Sequence, residues 1–297
     1  MMRRREIEHH LDMMTDIRGI LGAMKTLALL EIRKLGRRMD AHRRVLDGIN
    51  AAADDFVPFF PQVLPGESAS YHAYLLFGSE RGFCADFNDA ILQLLAAERT
   101  QSTSKMVLPL AVGSKLYNRM EERGERAIFH EGPNVTEEVD GVLTHLIHTL
   151  TGLQRQYGPL ALTALYHSPE KRAVASVQVL PPFGDLARQG PRFGYPPLLN
   201  VEPEGFGAEL LDHYLLAKLH DLAYSSLLAE NQRRMGHLDG AISRLDEKCA
   251  ALDRKRNALR QEEITEEIEV ILLSTEVAQP PTGDESPAKQ GHVLDQP

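Results

Sequence analysis

Tryptophan is absent, and the chain carries only 10 Phe and 8 Tyr in 297 residues. So few aromatics, set among many Leu, Ala, Arg and Glu, suit long helices better than a β-sandwich. Cysteine is nearly missing too. Cys84 and Cys249 stand far apart with no CxxC pair, which argues against a disulfide framework or a zinc site and fits a reducing compartment. No apolar run approaches the ~18 residues of a membrane span. The first residues, MMRRREIEHH, are charged but lead into no apolar stretch, so they do not read as a signal peptide. Their early acids also argue against a transit peptide. An overall basic surplus is lacking, with a net charge of −9 and a pI near 5.8, which excludes a general nucleic-acid binder. The expected setting is the cytoplasm, with any membrane association made through a partner.

Proline is missing before Pro58 and again between Pro203 and Pro280. Those two stretches hold the clearest periodicity. Ile7, Leu11, Met14, Ile17, Leu21, Met24, Ala28, Ile32, Leu35 and Met39 recur every three or four residues, a stripe along one helix face. A helix of about 50 residues would run about 75 Å, too long to lie across a small domain. Gly19, Gly22 and Gly36 each cost about 1 kcal/mol in a helix interior relative to Ala, so this helix needs a partner along its length. Leu238, Ile242, Leu245, Cys249, Leu252 and Leu259 keep a similar spacing, resumed by Ile264, Ile268 and Ile271. The charge is uneven. Met1–Arg44 holds eleven Lys and Arg against six Asp and Glu, a surplus of five, leaving −14 for the remainder.

Between the two helices the pattern alternates. Tyr71–Phe77, Met106–Val112, Arg126–His130, Leu160–His167 and Ala173–Leu180 read as strands. Asn88–Arg99, Leu116–Arg123 and Thr136–Tyr157 read as helices between them. Such alternation implies right-handed crossovers and a mostly parallel sheet. The expected fold class is therefore α/β plus long helices, an antiparallel two-helix coiled coil from both termini with an inserted Rossmann-like domain. The expected division is 1–57 for the first shaft helix, 70–200 for the domain, 206–278 for the second shaft helix, and 279–297 for a polar, Pro-rich, disordered tail.

Sites of chemistry are scarce. Gly78-Ser79-Glu80-Arg81-Gly82 follows a strand and precedes a helix, where nucleotides bind in doubly wound sheets. It fits neither G-x-G-x-x-G nor G-x-x-x-x-G-K-[ST], so a tight turn is the better account of its glycines. Gly113-Ser114-Lys115 has the same shortfall. His145 and His148 share a helix face, and His9-His10 and Asp54-Asp55 also hold metal-ligating types. No third ligand stands out, and structural use is expected, with no metal, no cofactor and no catalytic residue.

Three blocks carry a resemblance. Gly22-Ala23-Met24-Lys25-Thr26-Leu27-Ala28-Leu29-Leu30-Glu31-Ile32-Arg33-Lys34-Leu35 is similar to a T-x-A-M-K-M-V-A-A-x-K-L-R motif. Ser79-Glu80-Arg81-Gly82-Phe83-Cys84-Ala85-Asp86-Phe87-Asn88 is similar to S-D-R-G-L-C-G-G-F-N. Arg260-Gln261-Glu262-Glu263-Ile264-Thr265-Glu266-Glu267-Ile268 is similar to R-Q-x-x-I-T-x-E-L, and Ala229–Met235 looks like S-E-x-x-A-R-M. In this order, and over nearly the whole chain, they resemble the gamma subunit of F-type ATP synthases, the central stalk of a rotary enzyme. Ala85 and Asp86 replace two glycines, Val270 stands in place of a glutamate, and the tail after Ala278 is longer than the family's. These departures point to a divergent bacterial branch of the kind that includes sodium-translocating enzymes.

The resemblance implies a non-catalytic rotor, one copy per complex, with ATP chemistry on the beta subunits. It implies alpha and beta subunits, the epsilon subunit and the c-ring as partners, no nucleic acid, and a peripheral place on the cytoplasmic face of the bacterial inner membrane, touching the membrane only through the c-ring. Carried over residue by residue, Met24, Lys25, Arg260, Gln261, Thr265 and Glu267 would contact alpha and beta. Arg81, Gly82, Cys84, Phe87 and Asn88 would form the structural turn. Read without the family, Lys25 is a solvated cation beside a core methionine, and Arg260 to Glu267 are surface polarity, with Gln261 and Thr265 on one face at i, i+4. Two other functions stay in view: a coiled-coil scaffold with an inserted domain, and a small-molecule enzyme built on that domain.

Overall fold

The computed structural model describes residues 4–64, 71–101, 107–188 and 190–277. The expected tail and Met106 lie outside the described residues. Two helices dominate, α1 (Arg4–Phe56) and α6 (Pro203–Val277). The chain divides into two compact units, and both helices contribute to each.

The first unit comprises residues 1–18 and 244–297. Within it α1 and α6 run antiparallel: Arg4 pairs with Glu263 at 2.9 Å, and Arg18 with Asp246 at 2.6 Å. Ile7 and Leu11 are buried between them, and Met14 Sδ lies 4.0 Å from Cys249 Sγ. The apolar stripe of α6 continues past this pairing. Ile264, Ile268 and Ile271 are exposed.

The second unit, residues 19–243, holds the sheet. Its strands are β1 (Tyr71–Phe77), β2 (Val107–Val112), β3 (Ile128–His130), β4 (Leu160–Ser168) and β5 (Ala173–Leu180). Their order is β3-β2-β1-β4-β5. All neighbours are parallel except β4 and β5, which are antiparallel. The helices between strands are α2 (Phe87–Gln101), α3 (Ser114–Glu122) and α4 (Val139–Tyr157), with a short α5 (Gly184–Arg188) after β5.

Strand β1 lies at the centre and is buried on both faces, which is why it reads as an unbroken apolar run. Ala73, Leu75 and Phe77 face a core shared with Leu35 and Met39 of α1, Leu143, Leu146 and Leu150 of α4, and Leu219, Leu222 and Leu227 of α6. Tyr74 and Leu76 face the opposite core, with Phe87, Ile91 and Leu95 of α2 and Leu116 and Met120 of α3. A third cluster joins Ala53, Phe56 and Val57 to Leu210 and Phe206. Among the element boundaries that differ from the sequence reading, two stand out. Helix α6 starts at Pro203 rather than near Phe206, since proline is well suited to a first helical turn, where no N–H is needed. The third strand is only three residues long, at the sheet edge where its sole neighbour is β2.

Candidate functional site

The turn from β1 into α2 is built on one close approach. A Cβ at Gly78 would fall 2.2 Å from the Cβ of Leu116, so only glycine lets α3 pack there. Asn88 then ties the turn together. Its Oδ1 accepts from the Ser79 N–H at 3.0 Å, and its Nδ2 donates to Ser79 Oγ at 2.9 Å. Glu80 accepts from the Ser114 N–H at 2.8 Å, the Ser114 hydroxyl at 2.5 Å and the Gly132 N–H at 2.8 Å, binding three loops at one carboxylate. Arg81 donates from Nε to Asn134 Oδ1 at 2.7 Å. Phe87 is buried and stacks on His167 with ring centroids 3.7 Å apart, while His167 Nε2 donates to the Phe87 carbonyl at 2.8 Å. Burial holds the His167 imidazole below its ordinary pKa. Burial, reinforced by Glu230, pushes the Cys84 thiol up to about 12, so Cys84 is a packed side chain and no nucleophile. Of the predicted motif residues, Arg81, Gly82 and Cys84 lie in the turn, and Phe87 and Asn88 open α2 behind it.

In a doubly wound sheet, ligands bind beyond the carboxyl ends of the strands where the strand order reverses. Here that place lies between β1 and β4. Helix α6 occupies it. The Ser226 hydroxyl donates to the carbonyl of Phe77, the last residue of β1, at 3.0 Å. One turn on lies Glu230, which is also buried. Buried Arg234 pairs with Glu230, donates from Nε to the Gly82 carbonyl at 3.2 Å and from Nη1 to Asn231 Oδ1 at 3.0 Å. Burial pushes the Glu230 carboxyl up to about 7 against the pull of Arg234. Beside this clasp, Arg233 forms an ion pair with Asp86. Sequence reasoning did not single out Glu230 or Arg234 as site residues. Their signal is an acid and a base four apart on a helix whose neighbours, Leu222, Ala223, Leu227 and Ala229, are apolar and buried.

In the same unit, half-buried Met24 lines a cavity of about 500 Å³ with Leu27, Leu30, Arg33, Arg37 and Arg81. Leu27 and Leu30 are 58% and 47% exposed, an apolar surface rimmed by cations. Lys25 forms an ion pair with Asp239 of α6, so its charge is already matched within the chain. In the other unit, Arg260, Gln261, Thr265 and Glu267 are all exposed on α6. The Thr265 hydroxyl donates to the Gln261 carbonyl at 2.9 Å, as the i, i+4 spacing allows. Val270, Ile271, Leu272 and Leu273 follow, each more than half exposed, an apolar helix end of the kind that marks an interaction surface.

His145 and His148 line a cavity of about 560 Å³ with His130. Among the described residues no group of three His, Cys, Asp or Glu is arranged to hold a metal ion, and no helix is long and apolar enough to cross a membrane.

The chain matches the ATP synthase family over residues 3–276. It is 23% identical over 277 residues to the ATP synthase gamma chain of Clostridium botulinum strain Langeland, covering 91% of this chain and 96% of that one. The fold is similar to a chain of the Euglena gracilis mitochondrial ATP synthase OSCP/F1/c-ring assembly, with a TM-score of 0.59 at 15% identity, covering 95% of this chain and 99% of that one. It is also similar to a chain of the rotor of the same enzyme, with a TM-score of 0.56 at 15% identity over 88% and 98% of the two chains.

Proposed function

The chain belongs to the ATP synthase gamma-chain family, and we propose that it couples rotation to catalysis through the two helix surfaces described above. It is the central-stalk rotor subunit of an F-type ATP synthase and is itself non-catalytic. The reactions occur on the beta subunits that surround it. Two helices of unequal length and unequal charge present a different side to each beta subunit. Rotation therefore favours a different conformer at each site by contact alone, which is population shift driven by differential interaction energy.

The observation that carries this reading is the uncovered end of α6. Arg260, Gln261, Thr265 and Glu267 are exposed among the exposed apolar side chains Ile264, Ile268 and Val270 to Leu273. A helix end with this much exposed apolar surface calls for a sleeve around it, and the alpha and beta subunits supply one. Met24, with exposed Leu27 and Leu30 between Arg33 and Arg37, suits an acidic loop of a beta subunit. Lys25, matched by Asp239, contributes less there than its neighbours. The c-ring and the epsilon subunit bind the sheet-bearing part, and one copy serves each complex at the cytoplasmic face of a bacterial inner membrane. In this reading α1 and α6 serve as the shaft, and the sheet-bearing part between them is the inserted domain.

Co-expression with the cognate alpha and beta subunits tests the reading. The expected result is a complex that hydrolyses ATP and contains this chain. Recovery of the chain alone, with no affinity for alpha–beta hexamers, would speak for the scaffold instead.

A further inference from the structure

Three helices meet at a pair of histidines that plays no part in the rotor reading. His42 of α1 and His220 of α6 have ring centroids 5.0 Å apart, with their planes inclined at 47°. Buried Tyr224 stands edge-on to His42 at 5.6 Å and tilted to His220 at 5.8 Å. We propose that this pair is a proton-sensitive latch joining α1, α4 and α6: it accepts one proton, on His220, and a second proton, on His42, loosens the joint.

The hydrogen bonds decide which ring takes the first proton. His220 Nδ1 lies 2.8 Å from the Leu216 carbonyl, and its Nε2 lies 2.9 Å from Asp140 Oδ1 of α4. Both partners are acceptors, so both nitrogens must donate, and only the imidazolium has two N–H groups. In that form His220 ties α6 to α4 by an ion pair. His42 is placed for the opposite state. Its Nε2 is buried with no hydrogen-bond partner. A second imidazolium there would face the first across 5.0 Å with that N–H unpaired. The surrounding charges do not offset this. Asp140 is engaged by His220, and Asp221 of α6 pairs with Lys218 at 3.6 Å. Arg38, one turn before His42 on α1, adds a cation on the same side. Burial, reinforced by His220, holds the His42 imidazole below its ordinary pKa against the pull of Asp221 and Asp140. A histidine depressed in this way binds fewer protons folded than unfolded, so the folded chain is penalised as pH falls below about 6.5 and not above it. Met39, Leu143, Leu219 and Leu222, close in sequence to the latch, belong to the core under β1. Loosening the joint therefore loosens what holds both long helices to the sheet. The latch rests on this packing and not on the rotor reading.

Melting against pH tests the pair. The full chain is compared with His42→Phe, which keeps a ring but no titrating group. Between about pH 7.5 and about pH 5.5 the wild type should lose about 3 °C more than the variant. The same comparison made in a His220→Gln background should give about half that difference or less, because the charge facing His42 is gone. Equal losses in wild type and His42→Phe would overturn the latch. A difference that persists in full without His220 would also overturn it, leaving a lone buried histidine. Should His42→Phe fail to fold, His42→Gln takes its place. Hydrogen exchange, corrected for the intrinsic effect of pH, reads the joint itself. Amides of 36–48 on α1 and 214–226 on α6 should exchange about tenfold faster at the lower pH in wild type and not in the His42 variant. No acceleration in wild type would overturn the loosening, and acceleration confined to these segments would support it even if neither variant is recovered folded.

Discussion

Asp86 in the β1–α2 turn and Arg233 on α6 form an ion pair, and each stands where the gamma-subunit motifs carry a small residue. Asp86, a departure from the family pattern, is therefore matched by a cation on α6. Both side chains are well exposed, so the pair is screened by water and worth less than about 1 kcal/mol. A double-mutant cycle with Asp86→Gly and Arg233→Ala should give a coupling energy of that size by thermal melting. A coupling above about 2 kcal/mol would mean that the pair is more desolvated than its exposure indicates.

The neighbouring departure has the opposite sign. Ala85 has φ of 53°, in the left-handed region where a Cβ is disfavoured. Ala85→Gly should stabilise the chain by up to about 1 kcal/mol, the relief of strain exceeding the added freedom of the unfolded state. Ala85→Val should destabilise it. Melting temperatures of the two variants check both directions.

Glu31 on α1 is buried and accepts from the Thr136 N–H at 3.0 Å, the Thr136 hydroxyl at 2.8 Å and Lys34 at 3.0 Å. Burial opposes ionisation, but these hydrogen bonds together hold the carboxyl below its ordinary 4.5. A depressed acid contributes stability above its unfolded pKa and loses it as pH falls through the folded one. The contribution of Glu31 should therefore be full above about pH 4.5 and fade below it, and Glu31→Gln should flatten the acid limb of a stability–pH curve. Glu31→Ala, which strands the Thr136 donors, should cost about 2 kcal/mol at neutral pH. Glu230 tilts the other way. Its carboxyl, raised from 4.5 to about 7, binds a proton more readily folded than unfolded. Its share of stability declines as pH rises across that interval, and Glu230→Gln should remove the decline.

Legibility in the sequence followed the physics of each element. The α1 stripe was readable because Ile7, Leu11, Leu21, Ala28, Leu35 and Met39 are buried on one face, and burial of that kind leaves a period. Ile17 belongs to the same stripe yet is 41% exposed, since periodicity reports a face and not how closely a partner approaches it. The uncovered α6 end was not readable for a related reason. Ile264, Ile268 and Ile271 keep the spacing of a packed face, and only the structure shows them exposed. The turn at Gly78 was legible from its glycines and their place after a strand. The Glu230–Arg234 clasp was not, because an acid and a base at i, i+4 read as a surface pair. Only the packing of α6 over the strand ends turns them inward.

The exposed residues of α6 carry the coupling prediction. Arg260→Ala with Gln261→Ala removes side chains that make no contribution to any buried core, so melting should shift by less than about 1 kcal/mol. ATP synthesis by the assembled complex should fall while the sheet-bearing unit stays folded. Unchanged synthesis would remove both residues from the alpha–beta contact.

The central claim is that this chain turns inside an alpha–beta assembly. The most direct measurement fixes the alpha–beta hexamer to a surface, attaches a bead to a cysteine introduced at an exposed position of the sheet-bearing unit, and supplies ATP. The account predicts unidirectional, ATP-dependent rotation of the bead, lost when the catalytic subunits are inhibited. A complex that contains the chain and hydrolyses ATP while the bead stays still would contradict it.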